Sequence, residues 1–208
     1  SHYLPLRALA SVVSCCPMGM NMQSCKWLGD LFYKLNSTRR ERAKKNIQAS
    51  FPDWSEDMVS SLVKESMEHF FQLFVAEGVQ MPSLITPSTY SKYIEFSGIE
   101  KVTERLSKKK PTIFITGHCG NWELLGYTLS VLGYPIAALA RPLDNKLIND
   151  WVLGVREKYG LQVITKWGGV PVLQELISEN TNVGFIADQN AGGRGMFVPF
   201  FGRRATSS

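Results

Sequence analysis

The chain has 208 residues, 44% of them hydrophobic and 20% charged, enough for one sizeable core and one main domain. A net charge of +5 and a pI near 9.0 favour an anionic partner such as phospholipid, phosphorylated sugar or nucleic acid. The four cysteines, at 15, 16, 25 and 119, form no Cys-x-x-Cys pair, which argues against a zinc knuckle or thioredoxin-like motif and for reduced thiols facing the cytosol.

From the N-terminus, Ala8 to Cys25 is an uncharged stretch of 18 residues, near the lower limit for a membrane span. It also holds Asn21, Gln23, Gly19 and Pro17, and no Ala-x-Ala site marks a signal peptide. The favoured reading is a membrane-associated N-terminal helix over residues 1–34. It is either a marginal span kinked at Pro17 or a helix lying in the interface. A core helix of weak hydropathy is the plainer alternative. Ser1 and the closing Ala205-Thr206-Ser207-Ser208 read as fragment boundaries.

A helical region is expected over residues 35–91. Ser37 or Thr38 can cap a helix carrying Arg39, Arg40, Arg42, Lys44 and Lys45. Such a cluster beside an apolar segment suits the anionic surface of a cytoplasmic leaflet, or else is a solvated helix face. Without an aromatic-rich basic surface, nucleic acid is the poorer fit. Pro52 and Asp53 close that helix. Ser55 then reads as an N-cap, and Val59, Leu62, Val63, Met67, Phe70, Phe71 and Phe74 recur at helical spacing to about Gly78. Their wide aromatic face is assigned to the core, with an acyl-chain groove as the alternative. Met81 to Ser91, with two prolines, is expected to be a loop.

From Lys92 onward, over residues 92–208, short strands alternate with helices. Strands are predicted at Tyr93–Ser97, in the Ile113 run, and at Pro135–Ala140, Leu161–Thr165 and Asn182–Ala187. Helices are predicted at Ile99–Lys108 (ending in Lys108-Lys109-Lys110), after Gly120, at Asp144–Tyr159, and from near Pro171 to Glu179. The expected fold class is α/β, a mostly parallel sheet flanked by helices.

The central stretch is Ile113-Phe114-Ile115-Thr116-Gly117-His118-Cys119-Gly120-Asn121-Trp122-Glu123. An apolar run breaks at Gly117, passes a histidine and starts a helix near Asn121, placing His118 where α/β folds bind ligands. An imidazole is the usual base near neutral pH and needs a carboxylate on its other nitrogen to fix its tautomer. Glu123 is the candidate. On a continuous helix the two would lie about 140° apart, so the pair requires His118 in the turn before the helix. Backbone N–H groups at the helix start would then serve a developing oxyanion. The ordinary alternative is a satisfied histidine with a solvent-facing glutamate. A further reading makes Cys119 the nucleophile of an elbow-like turn, but that wants a later histidine, and His2 and His69 both lie upstream. A His-x4-Glu pair also lacks the second histidine of a zinc site, so no metal is expected.

His118, Arg141 and Asp188 each follow directly after a predicted strand, so a parallel sheet would bring them to one edge, and Arg156, late in the intervening helix, has its head within reach of it. The late run from Gly192 through Gly193, Arg194 and Met196 to Val198-Pro199-Phe200-Phe201-Gly202-Arg203-Arg204 reads equally as a mobile loop over the site or as a buried strand ahead of a turn.

Taken together, these landmarks resemble the bacterial lipid A biosynthesis acyltransferases, the lauroyl and myristoyl transferases that complete lipid A. The resemblance rests on Asn46-Ile47-Gln48-Ala49-Ser50-Phe51-Pro52, Gly117-His118-Cys119-Gly120-Asn121-Trp122-Glu123, Arg141-Pro142-Leu143-Asp144-Asn145, Arg156, Asp188-Gln189 and Val198-Pro199-Phe200-Phe201-Gly202. It implies a glycerolipid-acyltransferase-like fold at the cytoplasmic face of the inner membrane, working without a cofactor. The implied reaction moves a fatty acyl group from acyl carrier protein to a hydroxyl of the lipid A precursor. By motif position His118 would be the base and Glu123 its orienter. Arg156, Asp188, Arg141 and Asn121 would serve substrate binding. The remaining alternatives are a Cys119 acyl hydrolase, transfer to another glycolipid or glycerolipid, and non-catalytic lipid binding.

Overall fold

A computed structural model describes residues 3–108, 110–189, 192 and 195–207, arranged as two compact units. One is built from Pro82–Asp188 with Tyr3 and Leu4. The other comprises Pro5–Met81 and the residues from Gln189 onward. His2, Lys109, Gly193 and Arg194, named above, lie outside the described residues.

The helical unit opens with α1 (Tyr3–Cys15) and α2 (Met18–Leu35). Proline cannot continue a helix, because it lacks the N–H and clashes with the preceding turn. The chain therefore breaks at Pro17, leaving carbonyls at the end of α1 without helical donors. Asn21 Nδ2 donates to Val13 O at 2.7 Å and to Gln80 Oε1 at 2.8 Å, and Gln80 Nε2 donates to Cys16 O at 2.6 Å. Both side chains are buried. Asn21, which dilutes this segment's hydropathy, is thus an internal brace of a broken helix. Among the described residues, no helix is long and apolar enough to cross a membrane, so the kinked-span expectation finds no support.

Helix α2 packs on α4 (Glu56–Phe71) so closely that a Cβ at Gly29 would lie 2.4 Å from Glu68 Cα. Phe32 meets Phe71 edge-on at 5.6 Å. The outer face of α2 carries Met20, Trp27, Leu28, Leu31 and Leu35, all exposed. The basic helix α3 (Ser37–Ser50) is capped by Asn36 rather than Ser37 or Thr38. Its Oδ1 accepts from Arg39 N at 3.1 Å. Ser55 caps α4 as expected, accepting from Met58 N at 3.3 Å. The apolar face running from α4 into the turn after it divides: Val59, Val63 and Leu73 are buried, whereas Phe70 and Phe74 are exposed. A π-helical turn, Gln72–Glu77, leads into α5 (Gly78–Leu84), which occupies the start of the predicted loop. The Tyr127 hydroxyl donates to the carbonyls of Pro82 and Ile85 at 2.5 and 3.3 Å, a tertiary cap that periodicity cannot reveal.

In the α/β unit, Tyr93–Ser97 is not a strand. A 3-10 turn at Tyr90–Lys92 folds Tyr90 against Phe96 at 6.4 Å, so these aromatics pack locally without a pairing strand. After α6 (Ile99–Ser107) come β1 (Ile113–Thr116), α7 (Trp122–Val131), β2 (Ile136–Ala140), α8 (Lys146–Arg156), β3 (Leu161–Thr165), α9 (Gly169–Ser178) and β4 (Asn182–Ile186). All four strands are parallel, in the order β1-β4-β2-β3. On one face Leu106, Leu129, Ile136, Leu161 and Phe114 form a core under α6 and α7. On the other Leu173, Leu176 and Ile177 of α9 cover Ala137 and Val183. This bears out the mixed α/β sheet flanked by helices.

The Val-Pro-Phe-Phe-Gly run forms an antiparallel hairpin, β5 (Met196–Phe200) and β6 (Arg203–Ser207). Phe201 and Gly202 turn it with φ of 47° and 68°, the left-handed conformations that a two-residue hairpin loop requires. It is a strand before a turn, though not a buried one: Met196, Phe197 and Phe200 are exposed.

Candidate functional site

The insertion of β4 beside β1 creates the site. Thr116 pairs with Ile186 in register, so two residues further along each chain bring His118 and Asp188 side by side at the carboxyl edge. His118 N donates to Asp188 Oδ2 at 2.7 Å, and His118 Nδ1 lies 2.6 Å from Asp188 Oδ1. Gly117 permits this approach, since a Cβ there would stand 2.8 Å from Asp188 Oδ2. Partial burial pushes the Asp188 carboxyl up. The hydrogen bonds from the His118 ring and backbone outweigh that and hold it below the usual carboxylate range. Trp122 flanks the imidazole edge-on at 4.6 Å.

Glu123 is engaged elsewhere. Arg156 Nε donates to its Oε2 at 2.8 Å and Arg156 Nη2 to its Oε1 at 2.5 Å, a bidentate pair with side chains only 26% and 34% exposed. Glu123 stands in the first turn of α7 and Arg156 in the last turn of α8, so each also suits its own helix dipole. The spacing predicted a direct His118–Glu123 pair. The structure shows two pairs instead, His118–Asp188 and Glu123–Arg156, because β4 presents a carboxylate to Nδ1 and α8 presents a guanidinium to Glu123.

Asn121 is the N-cap of α7, its Oδ1 accepting from Leu124 N at 3.1 Å. Arg141 leaves the end of β2 for solvent, 66% exposed and only 3.7 Å from Asp144, itself almost fully exposed. Cys119 is exposed in the turn beside His118. Among the described residues, no group of three or more His, Cys, Asp or Glu side chains is placed to hold a metal ion.

Sequence reasoning placed His118, Arg141 and Asp188 on one edge but did not identify Asp188 as the partner of His118. The available signal was their equal offset, two residues beyond the ends of their strands. Strand order was needed to use it.

What this edge can do follows from its two ring nitrogens. An Nδ1–H donated to Asp188 leaves Nε2 as the nitrogen able to take a proton, the arrangement of an oriented general base. The chain resembles a lipid A biosynthesis acyltransferase of Haemophilus influenzae, with 23% identity over 178 residues, 85% of this chain and 54% of that protein. It therefore spans about half the length of that relative. A profile described as bacterial lipid A biosynthesis acyltransferase matches residues 5–208. With nearly the whole chain matched, this protein belongs to the bacterial lipid A biosynthesis acyltransferase family.

Proposed function

We infer that the α/β unit carries the transfer site for a fatty acyl group, from the thioester of an acyl carrier protein to a hydroxyl of a lipid A precursor. The observation that carries this reading is the Asp188 carboxylate on His118 Nδ1. His118 Nε2 takes the hydroxyl proton as the oxygen attacks the thioester carbonyl. The tetrahedral oxyanion lies near the N-terminus of α7, where backbone N–H groups and the helix dipole favour negative charge. Collapse expels the carrier thiolate, which recovers the proton from the imidazolium, and the ester remains on the acceptor. Asp188 fixes the tautomer and offsets the imidazolium charge. Glu123 acts at one remove: its fork with Arg156 braces α7 against α8 and so holds the turn that carries His118. Arg141 supplies a cation for phosphate on a substrate.

The helical unit supports attachment to the cytoplasmic face of the inner membrane. Residues 1–50 hold eight Lys and Arg against two acidic residues. The same region presents the exposed Trp27, Leu31 and Leu35 face of α2, the combination an anionic membrane surface attracts.

The test is turnover by the intact protein with acyl carrier thioester and lipid acceptor, read by mass spectrometry as the gain of one acyl group. His118→Ala is expected to abolish that gain while leaving the circular dichroism spectrum unchanged. Retained turnover in the folded variant rules the mechanism out.

A further inference from the structure

The carboxyl edge continues beyond the His118–Asp188 pair. Strand β2 lies next to β4, with Ala138 opposite Gly184, and β3 lies next to β2, with Ala140 opposite Thr165. Arg141 and Lys166 are the first residues beyond those strand ends. Lys166 N donates to Ala140 O at 3.1 Å, extending the ladder by one residue and fixing the two basic residues side by side. The β2–β4 ladder runs only to Ala138–Gly184, beyond which Arg141 follows the strand next to that of Asp188 and Lys166 the strand after it. The row across the edge thus reads His118, Asp188, Arg141, Lys166.

Two cations on adjacent strand ends repel unless an anion lies between them. Among the described residues, no carboxylate lies within ion-pair distance of Lys166, and Arg141 has only the loose, exposed contact with Asp144. Lys166 Nζ instead lies 5.5 Å from the centroid of the Trp167 ring, which is 60% exposed. Trp167 leads directly into Gly168, with φ of 69°, and Gly169, where a Cβ would lie 2.8 Å from Leu139 Cδ2. The start of α9 is therefore pinned against the sheet, just beyond the residue that carries the ammonium.

We propose that Lys166, together with Arg141, forms the seat for a phosphate group of the substrate whose acyl transfer occurs at His118, and that Lys166 is a specificity-determining residue for that reaction. The inference rests on the transfer reading above and adds a residue and a ligand chemistry to it. A phosphate ester spanning the ends of β2 and β3 would neutralise both cations and leave the rest of its molecule to reach two to three strands across to the base. Two substrates could bring such a group: the acceptor, if its sugar is phosphorylated, and the donor, through the phosphate of a carrier's prosthetic arm.

The experiment uses the intact protein and its Lys166→Gln, Lys166→Arg and Arg141→Gln variants in steady-state kinetics. The acceptor is supplied with and without its phosphates. The donor is supplied as carrier thioester and as a short acyl thioester of N-acetylcysteamine, which has no phosphate. Lys166→Gln is expected to raise KM for the phosphate-bearing substrate about tenfold or more, with kcat within about twofold. The effect should disappear when that phosphate is absent and be largely rescued by Lys166→Arg. Whichever substrate loses its dependence identifies the source. Equal losses with phosphate-free acceptor and phosphate-free donor, or a fall confined to kcat, would overturn the proposal. If the wild type turns over no donor, the transfer reading fails on its own. Equilibrium binding of phosphorylated and dephosphorylated acceptor in detergent micelles, and of the carrier with and without its phosphorylated arm, then decides the phosphate seat. Weaker binding by Lys166→Gln of the phosphorylated lipid alone, or of the carrier only when it bears its phosphorylated arm, supports it, and binding unchanged for both rejects it.

Discussion

Asp188 holds His118 at two points, one carboxylate oxygen on the backbone N–H and the other on Nδ1, although 70 residues separate them. The first contact fixes the turn and the second fixes the tautomer. In Asp188→Asn the amide can keep one contact, but its NH2 group invites the wrong tautomer at Nδ1. We expect kcat to fall about ten-thousandfold, the scale known for a mis-set imidazole, with KM within about threefold. A folded Asp188→Asn variant within tenfold of wild-type kcat would falsify the orienting role.

The same pair has a pH signature. Burial raises the Asp188 carboxyl, and the two hydrogen bonds from His118 more than reverse this, so its folded value lies below that of the unfolded chain, which is about 3.9. A depressed carboxylate stabilises the fold at pH values above the unfolded pKa, and that contribution disappears as pH falls through the folded value. Urea midpoints of wild type and Asp188→Asn should therefore differ at pH 6 and converge as pH drops below about 4. A gap that stays constant or widens in acid contradicts this assignment.

Glu123 and Arg156 are one brace, and their mutations should not add. Removing either partner strands a half-buried charge, whereas removing both leaves none. With side chains 26% and 34% exposed, solvent screening limits the coupling to about 1–2 kcal/mol. Glu123→Gln and Arg156→Gln should each lower stability and activity, and the double variant should cost little more than the worse single. Arg156→Lys should restore only part, because a point charge cannot reproduce the fork. Strict additivity in the four-corner cycle would show that the contact has no energetic role.

How far the sequence reached depends on what each element needed. The parallel strands and the edge shared by His118, Arg141 and Asp188 were legible, because a short apolar run that breaks off at a polar or charged residue is a local pattern. The partner of His118 was not, since it depends on β4 inserting between β1 and β2, and no local pattern encodes strand order. His-x4-Glu spacing pointed to Glu123 only because Arg156 is 33 residues away on another helix. Asn21 looked like a flaw in an apolar segment until a carbonyl at the break before Pro17 and the buried Gln80 appeared as its partners. The strand expected at Tyr93–Ser97 failed for a similar reason: its Phe96 packs against Tyr90, in the turn just before it, rather than on a neighbouring strand.

The turn itself offers a test that separates the base from the neighbouring thiol. At Gly117 a methyl group would stand 2.8 Å from Asp188 Oδ2, with Cys119 Sγ 3.5 Å away. Gly117→Ala must therefore push the Asp188 carboxylate away from the His118 N–H, whereas Cys119→Ala only removes an exposed sulfur. If oriented-base chemistry operates, Gly117→Ala should cost at least about a hundredfold in kcat, the lower range for general-base catalysis, while Cys119→Ala stays within about threefold of wild type. A Cys119 nucleophile reverses the second expectation: kcat collapses in Cys119→Ala and an acyl adduct on the wild-type cysteine appears by intact-protein mass spectrometry. The two variants together thus assign the reacting group from a glycine that cannot grow and a thiol that can be removed.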